Sequence, residues 1–133
     1  MIVPCEVAVK SVVPAVKALI ANELIEEYDF DQAEVAAFLG ISQSAVSKYT
    51  HKVRGHAISV EDVAEVRLLA EKMTRLLVSG HGNQKEFLRL FCQTCVVVRR
   101  TRLMCQFCKK SQKKLEIGEC DFCLGHTAST NRK

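Results

Sequence analysis

Six of the seven cysteines in this 133-residue chain stand in three Cys-x2-Cys pairs: Cys92/Cys95, Cys105/Cys108 and Cys120/Cys123. Two intervening residues let a pair of thiolates converge on one ion, and two such pairs complete a tetrahedral four-sulfur site. Three repeats of the pair point to a metal far more strongly than one would. Cys92, Cys95, Cys105 and Cys108 make one compact set. Cys105, Cys108, Cys120 and Cys123 make another, spaced like a short zinc ribbon whose Lys-rich middle and Gly118 suit a hairpin. The first set is preferred. Its leading pair falls at i, i+3 near the end of a helical segment, and fixing two sulfurs in advance lowers the entropy lost on closing the site. Two separate four-ligand sites would need His81 and His126 as well. Zn2+ is the first choice of metal, and a [4Fe-4S] cluster, which also takes four Cys thiolates, is the alternative. Cys5 stands apart and is expected to be packed.

Cys-x2-Cys is also the thiol–disulfide redox motif, but there it sits on a strand-helix-strand pattern. No such pattern surrounds these pairs, and a disulfide framework does not suit a reducing cytosol. No catalytic constellation and no small-molecule substrate are evident, so the chain is not expected to be an enzyme.

The elements that must carry these residues read as helices. Pro4 suits a first helical turn and Pro14 does not suit an interior, so residues 4–12 and 14–28 are expected as two segments with a break or kink. Val16, Leu19, Ile20, Leu24 and Tyr28 give the second an apolar face. Residues 31–50 then carry the signals of a helix-turn-helix. Asp31 can N-cap a first helix with core residues Val35, Ala36 and Leu39. Ala36 is small where two helices must approach, and Gly40 ends the first helix in a left-handed turn. Ser42 can cap a second helix whose inner face is Ala45, Val46 and Tyr49. Further on, Ser59 and Asp62 resemble a capping box opening a helix to Gly80, with a stripe of Val63, Val66, Ala70, Met73 and Leu77. Asn83 and Glu86 open another from 84 to about 100, beyond which periodicity stops.

The stretch QAEVAAFLGISQSAVSKY, residues 32–49, resembles the helix-turn-helix of Cro and phage-repressor-type (XRE-type) transcriptional regulators. The opening MIVPCEVAVKSVVPAVKALIANELIE is similar to that of small archaeal regulators of this class, some with a cysteine-rich tail. The resemblance implies an all-α, lambda-repressor-like bundle with a small metal-binding C-terminal segment, double-stranded DNA as partner and a homodimer. In that reading Gln43, Ser44, Ser47 and Lys48 face the major groove, where Gln pairs with adenine and Lys with guanine. Lys52 and Arg54 follow on a basic connector and suit phosphates, which orient without reading sequence. The alternative is a zinc-ribbon adaptor for RNA or the transcription machinery, with the tail as the working part.

Charge divides the chain. Residues 1–80 hold eight Lys and Arg against eleven Asp and Glu, whereas residues 81–133 hold eleven against four. A basic tail beside an acidic domain fits a polyanion partner, and Arg99, Arg100, Arg102 and Lys109–Lys114 are candidate phosphate contacts. Two units are expected: residues 1–80 for DNA binding, and residues 81–133 as a helix plus cysteine-rich tail. No run approaches the roughly 20 apolar residues of a membrane span, and Glu6 and Lys10 interrupt any signal-peptide pattern. A cytoplasmic protein without membrane partners is expected.

Overall fold

The computed structural model describes residues 4–51, 58–80 and 84–111, together with Cys123. Its helices are α1 (Pro4–Tyr28), α2 (Gln32–Leu39), α3 (Gln43–Thr50), α4 (Ala64–Val78), α5 (Gln84–Arg100) and α6 (Cys105–Ser111). No strand occurs among the described residues, so the all-α expectation holds. None of the described helices is long and apolar enough to cross a membrane.

Helix α1 touches every other helix, while α2 packs on α3 and α4 on α5. Its buried residues are Val7, Ala8, Val12, Ala15, Val16, Ala18, Ile20, Ala21 and Leu24, which surround the helix axis instead of marking one stripe. Its exposed residues, Glu6, Val9, Lys10, Glu26 and Glu27, lie at the two ends, so its middle sits inside the bundle. That burial also explains Pro14, which lies within one continuous helix. The expected break between residues 12 and 14 is absent. Proline removes one helical hydrogen bond and costs about 3 kcal/mol in a helix interior. Val12, Ala15 and Val16 are each at most 1% exposed beside it. Burying three such side chains outweighs that cost.

The buried hydroxyls are satisfied locally. Ser11 donates to Val7 O (2.7 Å), Thr74 to Ala70 O (2.8 Å) and Thr94 to Leu90 O (2.7 Å), so none brings an unmet polar group into the core.

Helix α4 departs from its expected start. Val63 is the N-cap and makes no side-chain cap, so the Ser59/Asp62 box does not form. Ile58 and Val60 are buried, and Val63 N donates to Val60 O (3.1 Å), which turns the chain before the helix begins. Packing of these two apolar residues sets that turn, not the polar pair. Val66, Ala70 and Met73 of the α4 stripe are fully buried within the chain. Helix α5 spans the expected residues, with Glu86 paired to Arg89 (2.9 Å); Asn83 lies outside the described residues. Val98, Met104 and Cys108 belong to the same core cluster as α1, so the described helices beyond residue 80 share the core of the first unit.

A cavity of about 740 Å³ opens between α1 and α4, lined by Glu23, Glu26, Glu27, Glu71, Arg67 and Arg75 among others. Burial pushes the Glu23 carboxyl above its ordinary range, and the charges of Glu71 and Glu27 push it the same way, against Thr74 and Arg75. Glu23 therefore binds its proton more tightly folded than unfolded. Its contribution to stability is complete below the ordinary glutamate value, about pH 4, and is lost as pH rises through the raised value. Glu23→Gln should raise the melting temperature at pH 7, with the gain shrinking towards zero near pH 4. Thermal denaturation at the two pH values checks this, and an equal or opposite effect at pH 7 would contradict it.

Candidate nucleic-acid interface and thiol site

The α2–turn–α3 unit is built from local signals that all agree. Asp31 has an extended backbone and accepts from Glu34 N (2.8 Å), while Glu34 Oε1 accepts from Asp31 N (3.0 Å). This reciprocal capping box satisfies two helix-end donors at once. Gly40 takes φ 66°, and its N–H and that of Ile41 both donate to Ala36 O. Ser42 Oγ then accepts from Ala45 N (3.1 Å) and starts α3. Tyr28 stacks on Phe30 before α2, and Phe30 meets Phe38 of α2 at a tilt, with ring centroids 6.2 and 5.0 Å apart.

Val35, Ala36, Val46 and Tyr49 face the core. On the opposite side of α3, Gln43, Ser44 and Lys48 are exposed and Ser47 is half-buried. Positions 43/47 and 44/48 are each one helical turn apart, so the four side chains form one outward patch. Gln32 Nε2 donates to Thr50 Oγ1 (3.5 Å), which ties the first turn of α2 to the last turn of α3. Lys52 and Arg54 lie outside the described residues.

His51 was not singled out by sequence. It caps the C-terminus of α3, with Nδ1 only 2.8 Å from Ser47 O and 3.3 Å from Ser47 Oγ. A carbonyl only accepts, so Nδ1 carries the proton. A histidine directly after a helix is the signal that could have found it. The contact occupies Ser47, leaving Gln43, Ser44 and Lys48 as the accessible side chains of the patch.

The thiols sit on helices. Cys92 (exposed) and Cys95 (half-buried) lie on α5, and Cys105 (half-buried) and Cys108 (buried) on α6. The loss of helical periodicity expected beyond Thr101 is corrected by α6, which places Cys105 and Cys108 at i, i+3 on a helix and not on a knuckle. Seven residues are too few for a period to be read, and Met104 and Cys108 hold this helix in the core. The thiols of Cys92, Cys95, Cys105, Cys108 and Cys123 are in no disulfide. Cys120, His81 and His126 lie outside the described residues. Among the described residues no three His, Cys, Asp or Glu side chains are close enough to share an ion, so Cys92, Cys95, Cys105 and Cys108 are not gathered at one point.

Arg99 departs from its expected role as a phosphate contact. It is 5% exposed, and its Nε donates to Cys123 Sγ at 3.3 Å. One turn away, burial pushes the Cys95 thiol up to about 11 and the neighbouring Cys92 adds to this, while the Arg99 charge pulls it down. The donor set is soft sulfur on two i, i+3 pairs with a cation beside it. That chemistry fits a thiophilic metal.

No protein-family model matches this chain, and neither a curated protein nor a solved structure is significantly similar to it.

The unit makes a direct energetic prediction. Asp31→Ala and Ser42→Ala should each cost about 1 kcal/mol, and Gly40→Ala about 1–2 kcal/mol because an L side chain is strained at positive φ. Urea denaturation checks these values. Three unchanged midpoints would mean that the caps and the turn are not formed.

Proposed function

We propose that this chain is a sequence-specific, double-stranded-DNA-binding transcriptional regulator of helix-turn-helix type, with a lambda-repressor-like arrangement of its first helices. One observation carries the reading. Helix α3 is anchored by Val46 and Tyr49 and turns Gln43, Ser44 and Lys48 outward from a rigid, doubly capped unit. A major groove admits a helix, and side chains in its first turns reach base edges. Gln43 and Ser44 read bases from the first turn of α3, and Lys48 reaches guanine O6 or N7 from the next. Lys52 and Arg54 bind phosphates. The protein works in the cytoplasm, and its chemistry is recognition, not catalysis.

The cysteine module holds a metal, Zn2+ in the first instance and a [4Fe-4S] cluster as the alternative. Cys92 and Cys95 form one half of its ligand set, and Cys105 and Cys108 complete it in the preferred grouping. Such a group supplies stability to the segment that binds it, because ligation and folding are linked.

Replacing Gln43, Ser44 and Lys48 together by Ala should abolish sequence-selective binding while leaving the helical circular dichroism unchanged. Replacing Lys52 and Arg54 should weaken binding to all duplexes alike. It should also reduce the slope of log K against log salt concentration by about 0.9 per lost phosphate contact. Titration of labelled duplexes at several salt concentrations reads both effects. Retention of the same operator by the triple variant would remove α3 as the reader.

The DNA-bound form is a homodimer on a near-palindromic operator, its half-sites about 34–36 Å apart or a multiple of that. Leu68 on α4 and Leu88 on α5 support this, at 59% and 54% exposed. Leu88 also borders an apolar groove of about 500 Å³ lined by Val13, Phe38, Leu77, Phe87 and Phe91. Leu68→Glu with Leu88→Glu should shift sedimentation towards monomer and lower operator affinity. A monomer in the unmodified protein, free and DNA-bound, would contradict the dimer.

A further inference from the structure

The groove that Leu88 borders is a meeting point of four helices. Val13 and Lys17 come from α1, Phe38 from α2, Leu77 from α4 and Phe91 from α5. Its volume of about 500 Å³ is of the size that holds a small organic molecule. The Phe87 and Phe91 rings, tilted with centroids 6.1 Å apart, give it an aromatic wall. Gly40, which closes α2 at positive φ, also lines it, so a molecule seated here touches the turn between α2 and α3.

One charge stands in that apolar lining. Among the described residues the groove is lined by a single ionisable side chain, Lys17, and a single amide, Gln84, with no carboxylate. Lys17 is half-buried, and among the described residues it makes no ion pair or hydrogen bond. A lysine stem packs on apolar surface and leaves its charged end for a partner. An ammonium at the wall of an apolar cavity also attracts an anion more strongly than one surrounded by water, because less solvent and salt screen it.

A second copy of the chain does not meet this need. A two-fold contact sets a patch against itself, and this lining offers Lys17 no anion. Burying the ammonium there would cost free energy with nothing to offset it. The dimer contact proposed above uses the rim residue Leu88 and leaves the interior to a ligand.

We propose that the groove is a binding site for a small organic monoanion. Its apolar or aromatic body lies against the phenyl rings, and its carboxylate pairs with Lys17, with the Gln84 amide as a second donor. The inference goes beyond the DNA and metal readings and rests on neither. It adds a small-molecule ligand whose seat includes the last turn of α2.

The test uses the full chain and two acids, octanoate and 2-naphthoate, each beside its uncharged alcohol, octanol and 2-naphthylmethanol. Equilibrium dialysis reads affinity and stoichiometry, and circular dichroism checks that each variant is folded. At least one acid should bind once per chain, about 10-fold tighter than its alcohol, which is the worth of one charge-assisted contact. Which acid does so tells an aliphatic body from an aromatic one. Lys17→Met keeps an unbranched apolar stem and should erase the preference for acid over alcohol, whereas Lys17→Arg should keep it. Ala37→Trp, at an exposed lining position, should block acid and alcohol alike. Equal affinity for acid and alcohol in the unmodified protein, or an acid preference that survives Lys17→Met, would overturn the proposal. So would the absence of saturable binding. A dimer that binds neither acid and that Ala37→Trp separates in sedimentation would give the groove to a second copy, and that too would overturn it.

Discussion

Everything in this fold depends on burying the middle of α1, where residues 11–25 are all buried or half-buried. Val12, Val16, Ile20 and Leu24 are completely inaccessible, and they are covered by helices that come from the whole length of the described chain. So many apolar side chains on one helix cannot remain in water, so the hydrophobic effect draws the other helices onto it. The same burial keeps α1 continuous through Pro14. It places the α2–turn–α3 unit on one flank of α1, with α5 and α6 on others.

A shared core couples α3 mechanically to the cysteine-bearing helices. Helix α3 rests on α1 through Val46 and Tyr49, while Val98, Met104 and Cys108 join the same cluster from the cysteine-bearing helices. A change in packing at α6 is therefore felt by the helix that supports α3. Interiors packed at crystalline density transmit such changes instead of absorbing them. In the proposed function this is the physical route by which the state of the thiols would reach the DNA-reading surface.

The α2–turn–α3 unit was legible in the sequence because each of its signals is local. Asp31, Gly40 at positive φ and Ser42 specify their own geometry within a few residues, and the structure places these three as read, adding Glu34 as the reciprocal partner of Asp31. What sequence missed depends on tertiary packing. Pro14 reads as a break until the burial around it is known. Ser59 and Asp62 read as a cap until Ile58 and Val60 are seen to set the turn. Arg99 reads as one of several surface cations beside Arg100 and Arg102, yet it is the one that points inward. Nothing in its neighbours distinguishes it, since a run of cations at a helix end does not say which of them meets the core. Helix α6 is too short for any periodic signal. The grouping of the three cysteine pairs is a long-range fact that their spacing alone does not decide.

The central claim is that the exposed face of α3 reads a particular DNA sequence. The most direct measurement is repeated selection by the full-length chain from a pool of random duplexes at physiological salt, followed by sequencing. The account predicts enrichment of one short motif, repeated as two inverted half-sites. Recovery of unenriched duplexes, bound only through salt-sensitive contacts to the backbone, would contradict it.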